Sequence, residues 1–83
     1  MKFFTYILCS LKTGKYYVGH SQDLDLRIVK HNAGEVKSTR SGRPWKIVYF
    51  EVFETRSESF KREKEIKNKK SRKYITALIN KRE

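Results

Sequence analysis

The sequence predicts an α+β fold with the element order β-β-α-β-α-α. Two aromatic-rich apolar runs, Phe3–Cys9 and Tyr16–Gly19, flank a short polar turn and read as strands. A third run, W-K-I-V-Y-F-E-V-F over Trp45–Phe53, is the strongest strand signal in the chain. The remaining stretches carry helix caps and apolar residues at i,i+4 spacing. The length of 83 residues allows one domain, residues 1–83, because a second would have no core of its own.

Each element has a local reason. Lys12-Thr13-Gly14-Lys15 is a turn, with Gly14 able to take a positive φ, so residues 3–20 form a hairpin. Ser21 or Asp23 caps the next helix. In that helix Leu24 and Ile28 face the core, Arg27 and His31 share the adjacent stripe, and Asn32-Ala33-Gly34 stops it. Residues 34–44 hold glycine and proline breakers and read as a surface loop. The strand Trp45–Phe53 is apolar on both faces and is expected at the centre of the sheet. Thr55 and Glu58 fit a capping box that opens a helix running to about Asn68. Ser71 caps a last helix with an apolar stripe of Tyr74, Ile75, Leu78 and Ile79.

Charge narrows the function. Lys and Arg number 20 against 9 Asp and Glu, a net charge of +11. Hydrophobic residues are 37% of the chain, below the roughly 45–50% of ordinary globular proteins, but aromatics reach 13%, too many for a disordered tail. Acidic ligand classes such as calcium buffers are disfavoured, and a polyanion is the expected partner: DNA, RNA or an anionic membrane. The excess is concentrated. Lys61–Lys73 holds eight basic and two acidic residues, too few acids to neutralise the bases by i,i+4 pairing. A second cluster is Lys37, Arg40, Arg43 and Lys46. The basic helix lacks the broad apolar face of a membrane-surface binder, which leaves nucleic acid. No apolar run approaches the roughly 18–20 residues of a membrane span, and the start of the chain makes a poor signal peptide. The lone Cys9 excludes an intrachain disulfide and a cysteine zinc cluster, and is expected buried in its strand. A cytoplasmic location follows as the expectation.

No P-loop, dinucleotide fingerprint or Ser-His-Asp arrangement is present, so no small-molecule cofactor is expected. His20 and His31 are too few for a zinc site. Glu63 is an acid inside a basic run. It can pair with Lys67 at i,i+4, or it can hold one Mg²⁺ whose other ligands are waters and a substrate phosphate.

The hairpin Phe4-Thr5-Tyr6 … Tyr17-Val18-Gly19, followed by Arg27, His31 and Glu63, resembles the GIY-YIG nuclease family. The closest branch is its short single-domain bacterial members, of the UPF0213 type. The stretches Tyr17-Val18-Gly19-His20 … Leu26-Arg27 … His31-Asn32 … Gly34 and Phe53-Glu54-Thr55-Arg56-Ser57-Glu58 … Lys61-Arg62-Glu63-Lys64 carry the likeness. It implies a small three-stranded antiparallel sheet flanked by helices. It also implies catalytic roles for Tyr6, Tyr17, Arg27 and His31: a tyrosine to help deprotonate the attacking water, and Arg27 to neutralise the scissile phosphate. Glu63 becomes the ligand of a single divalent ion, Mg²⁺ or Mn²⁺. The chain departs from the family in its first motif, where Phe4-Thr5 replaces glycine and isoleucine. The asparagine common near the domain's end has no secure match, with Asn68 and Asn80 the candidates.

Two functions follow as expectations. One is a divalent-metal-dependent endonuclease that hydrolyses phosphodiesters in DNA, in repair or recombination. The other is a nucleic-acid-binding module of the same fold with weak or no catalysis. In either, Lys37, Arg40, Arg43, Lys46, Lys61, Arg62, Lys67, Lys69 and Lys70 hold the phosphate backbone. The sequence does not address oligomeric state.

Overall fold

The computed structural model describes residues 1–81. Strand β1 (Phe3–Ser10) turns at Gly14, φ +76°, into β2 (Tyr16–Ser21). Helix α1 (Leu24–Asn32) follows, capped by the Asp23 carboxylate, which accepts from the Leu26 amide at 3.0 Å. Then come a 3₁₀ turn (Lys37–Gly42) and β3 (Trp45–Phe53). Helices α2 (Arg56–Lys69) and α3 (Arg72–Lys81) complete the described chain. The expected capping box is present: the Thr55 hydroxyl accepts from the Glu58 amide, and the Glu58 carboxylate accepts from the Thr55 amide. Ser71 caps α3 by accepting from the Tyr74 amide at 3.1 Å.

The three strands are antiparallel in the order β2-β1-β3. The expectation for Trp45–Phe53 is therefore corrected: β1 is central and β3 lies at an edge. The physical reason lies in the charges. β3 carries Lys46 and Glu51, which need water or a partner, whereas β1 has no charged residue and buries Thr5, Tyr6, Ile7 and Leu8 in succession.

Alternation along β1 divides the core in two. Tyr6 and Leu8 pack with Trp45, and Leu24 and Ile28 of α1 lie against them, as the i,i+4 spacing predicts. Ile7 packs on the opposite face with Val18 and Ile66 of α2, and Tyr74, Ile75 and Leu78 of α3 cover that cluster. The Thr5 hydroxyl donates to the Ser59 carbonyl at 2.7 Å and ties α2 to the sheet. Cys9 is half-buried rather than buried.

Residues 34–44 depart from a simple surface loop, because the 3₁₀ turn buries Thr39 and Gly42. Trp45 explains this. Its indole Nε1–H donates to the Thr39 carbonyl at 2.7 Å, and a Cβ on Gly42 would lie 2.5 Å from its ring. The Ser10 hydroxyl donates to the Gly42 carbonyl at 2.6 Å, which anchors the turn to β1.

Arg62 also differs from expectation. Instead of standing free for phosphate, its guanidinium forks onto Glu51 at 2.9 and 3.0 Å and donates to the Tyr74 hydroxyl at 3.2 Å. Burial pushes the Glu51 carboxyl up, but hydrogen bonds from Arg62 and Tyr49 outweigh it and leave its pKa lowered. The pair joins β3 to α2, and Tyr74 adds α3.

Candidate active site

The functional side chains gather around the free edge of β2. Register places Tyr6 of β1 opposite Gly19 of β2, and Leu8 opposite Tyr17. Tyr6 and Tyr17 therefore share the face covered by α1. Gly19 is required for a steric reason: a Cβ there would sit 2.6 Å from the Tyr6 hydroxyl oxygen. The Tyr6 ring lies over the glycine, and its hydroxyl cannot move aside because two partners hold it.

Those partners are His31 and Arg27. The Tyr6 hydroxyl is 2.9 Å from His31 Nε2, and Arg27 Nε donates to the same oxygen at 3.3 Å. On the far side of the imidazole, His31 Nδ1 is 2.7 Å from the Thr39 hydroxyl, which itself donates to the Val36 carbonyl at 3.3 Å. A hydroxyl has one proton, so Thr39 must accept from His31 Nδ1–H. That leaves Nε2 of the neutral ring as an acceptor, and Tyr6 donates to it. Burial and the Arg27 charge lower the His31 pKa from 6.5 to about 4, so the ring is neutral at physiological pH. Burial raises the Tyr6 pKa, with Arg27 acting against it.

The i,i+4 spacing of Arg27 and His31 on α1 thus places both on the Tyr6 hydroxyl. Tyr17 is differently placed. Its ring meets His31 edge-on at 5.3 Å and is half-buried, and among the described residues no hydrogen bond holds its hydroxyl.

The opposite face contributes through His20 and α2. His20 alternates with Gly19, so it faces α2, where its Nδ1 donates to Glu63 Oε1. Glu63 is buried, and Lys67 donates to its other oxygen, the i,i+4 pair allowed by the spacing. Lys67 Nζ also lies 5.8 Å from the Tyr17 ring centroid, which links the two faces around the strand edge. Beside Arg27 a groove of about 460 Å³ opens, lined by His20, Gln22, Asp23, Lys30 and Arg56 among others.

The structure thus brings Tyr6, Tyr17, Arg27, His31, Glu63 and Lys67 together. Lys37, Arg40 and Arg43 are exposed on the α1 side, whereas Lys46, paired with Cys9 between Trp45 and Ile47, points to the opposite face, where Lys61, Lys69 and Lys70 are also exposed. The loop bases Lys37, Arg40 and Arg43 accordingly lie across the sheet from the bases on the α2 side, and the expected cluster 37–46 is divided between the two faces. Arg40 and Arg43 also have structural work, their Nε atoms donating to the Gly34 and Arg40 carbonyls at 2.8 Å each. Asn68 and Asn80 are exposed.

Sequence reasoning missed three contributors. Thr39 fixes the His31 ring, but a threonine in a polar loop carries no signal. His20 orients Glu63, and strand alternation after Val18 could have placed it on the α2 face. The Asn32 side chain pairs with both backbone groups of Trp45, accepting from its amide at 2.7 Å and donating to its carbonyl at 3.0 Å. It joins the end of α1 to the start of β3.

A divalent ion can be tested against these donors. Among the described residues no three His, Cys, Asp or Glu side chains converge, so no protein cage is present. A single carboxylate suits an ion that keeps waters and takes phosphate oxygens, as Mg²⁺ does. Glu63 Oε2 is the donor that fits, because the Lys67 side chain bound to it is 48% exposed and free to leave.

Comparisons with known proteins bear on the family and the fold. The profile of the GIY-YIG catalytic domain matches residues 2–75. A UPF0213 protein of Staphylococcus saprophyticus is 46% identical over 67 residues, 80% of each chain. One from Staphylococcus aureus strain Mu3 is 47% identical over 66 residues, covering 77% of this chain and 78% of that one. The solution NMR structure of the UPF0213 protein BH0048 from Bacillus halodurans superposes with a TM-score of 0.59 at 34% identity, covering 96% of this chain and 84% of that one. Its likeness extends over the three-stranded antiparallel sheet and the flanking helices. With most of its length accounted for in this way, the chain belongs to the GIY-YIG family, whose domain implies nuclease-type chemistry.

Proposed function

We propose that the protein is a divalent-metal-dependent endonuclease that hydrolyses phosphodiester bonds in DNA, with RNA as the alternative substrate. GIY-YIG nucleases generally use divalent metal ions, and Mg²⁺ or Mn²⁺ is the ion proposed here. The observation that carries the reading is the hydrogen-bonded cluster Arg27–Tyr6–His31, set across the β2 edge from the buried carboxylate of Glu63. A cation, two tyrosines and an isolated acid meeting at one strand edge are the parts that phosphodiester hydrolysis requires.

Each side chain has a task. Arg27 neutralises the charge that develops on the phosphate, and it lines the groove through which a strand would enter. Tyr17, whose hydroxyl no hydrogen bond holds among the described residues, faces the attacking water and takes part in its deprotonation. Tyr6 is a positioning residue: its hydroxyl proton is committed to His31, and its oxygen holds the Arg27 guanidinium. His31 fixes Tyr6 in turn. When bound at Glu63, a divalent ion would supply Lewis-acid stabilisation to the phosphate and the leaving oxygen. His20 keeps the Glu63 carboxylate oriented. The exposed bases Lys37, Arg40, Arg43, Lys46, Lys61, Lys69 and Lys70 hold the backbone on either side. Cuts of this kind belong to DNA repair or recombination, and a cytoplasmic location suits them. No helix is long and apolar enough to cross a membrane among the described residues.

The test is cleavage of nicked, branched, single-stranded and duplex DNA with Mg²⁺ or Mn²⁺, comparing wild type with Arg27→Ala and Glu63→Ala. Cleavage by wild type that both variants lose supports the reading. The same background from wild type and Glu63→Ala refutes it.

A second reading is a nucleic-acid-binding module with weak or no catalysis. It is favoured by one observation: both oxygens of Glu63 are already engaged, by His20 and Lys67. On that reading DNA affinity falls steeply with salt and is unchanged in Glu63→Ala.

A further inference from the structure

Helix α2 carries two apolar side chains, Phe60 and Ile66. Ile66 is buried in the core under β1. Phe60 belongs to neither core cluster and is 46% exposed, so the fold does not account for it. It stands one helical turn before Glu63. Its ring meets the His20 ring edge-on at 5.3 Å, and His20 is the residue bonded to the Glu63 carboxylate. Lys64 Nζ lies over one face of the same ring, 5.4 Å from its centroid, on an exposed side chain that a base could displace. His20 also lines the groove that holds Arg27, Lys30 and Arg56.

We propose that Phe60 is a stacking platform for an unpaired base next to the phosphate held in the Arg27 groove, so that the preferred ligand is single-stranded or frayed nucleic acid. The proposal rests on the nuclease reading and adds its substrate class. An exposed aromatic ring offers a π-face to any base, with little regard to sequence. Inside a duplex both faces of a base are already stacked, so the ring has nothing to receive. Lys64 at the ring and the cations of the groove supply the backbone charge that such a strand needs. Phosphate contacts alone would bind single and double strands alike. The aromatic beside the site is what separates them.

The experiment is fluorescence anisotropy at fixed salt without divalent ions, using a labelled single-stranded DNA oligonucleotide and a blunt duplex of the same length. Wild type is compared with Phe60→Ala, Phe60→Leu and Phe60→Trp. Thermal unfolding controls for the fold, which the substitutions leave intact because Phe60 is outside the core. Phe60→Ala and Phe60→Leu weaken single-strand binding about five- to a hundredfold and change duplex binding less than about twofold. Phe60→Trp retains or strengthens single-strand binding. Equal losses on both ligands, no loss on either, or Leu behaving like Trp would each overturn the stacking role while leaving the nuclease reading intact. Failure of wild type to bind either ligand overturns both.

Discussion

Replacing Thr39 with valine tests the internal logic of the site without touching a proposed catalytic group. Thr39 is fully buried, and its hydroxyl accepts from His31 Nδ1–H at 2.7 Å while donating to the Val36 carbonyl at 3.3 Å. Valine has the same shape, so no cavity forms, but a buried N–H loses its acceptor. A stranded donor of this kind costs about 1–3 kcal/mol. Taking ~2 kcal/mol, the melting temperature of a domain this size falls by roughly 8–16 °C. The imidazole gains freedom to move its proton to Nε2, and Tyr6 then loses its acceptor. Two assays read these effects: thermal or urea denaturation gives the stability change, and ¹⁵N–¹H correlation of the imidazole gives the tautomer. Wild type shows the Nδ1–H form, Thr39→Ser retains it, and Thr39→Val loses stability together with the fixed tautomer. A Thr39→Val protein within about 0.5 kcal/mol of wild type, the scatter of neutral surface changes, would refute the reasoning. So would an Nε2–H ring in wild type.

The His31 pKa is about 4 when folded against 6.5 ordinarily, so the unfolded chain binds more protons between those values. Its stabilisation, roughly 3 kcal/mol, is complete above about pH 6.5 and is lost as pH falls toward 4; urea midpoints across that range, with an NMR titration of His31, check it, and a His31 midpoint near 6.5 refutes it. Gly19→Ala puts a Cβ against the pinned Tyr6 hydroxyl and should cost about 1–3 kcal/mol, read as a lower urea midpoint at unchanged m-value. Arg62→Ala leaves the half-buried Glu51 without its fork and should cost about 2 kcal/mol with little change in DNA affinity. Lys69→Ala should do the reverse, leaving stability within about 0.5 kcal/mol and lowering the salt dependence of DNA binding by about one ion; equal stability in the two variants would contradict this division.

Local patterns carried far in this chain, because their causes are local. The hairpin turn at Gly14, the Thr55–Glu58 capping box, the Asp23 and Ser71 caps and the Leu24–Ile28 spacing each depend on neighbours a few residues away. Strand order does not. Trp45–Phe53 reads as the better central strand by composition, yet β1 takes the centre, because β3 has the charges of Lys46 and Glu51 to keep in water and β1 has none. The same limit applies to side chains that look alike in one dimension. Arg62 and Lys61 are adjacent bases in one run, but the helix turns Arg62 toward Glu51 on β3 and leaves Lys61 in solvent.

Composition alone pointed to a polyanion partner, through a charge of +11, and the candidate site residues were legible only through the likeness of their motifs to the GIY-YIG family. Only the tertiary structure decided what those residues do to one another. The Tyr6–Gly19 pairing depends on strand register, and the His31–Thr39 bond on a loop folded back by Trp45. Glu63 meets His20 only because α2 packs against the face toward which His20 alternates. Each of these contacts joins two different elements, from eight positions apart for His31 and Thr39 to 43 for His20 and Glu63, and hydrogen-bond direction, burial and pKa arise only after that packing is complete.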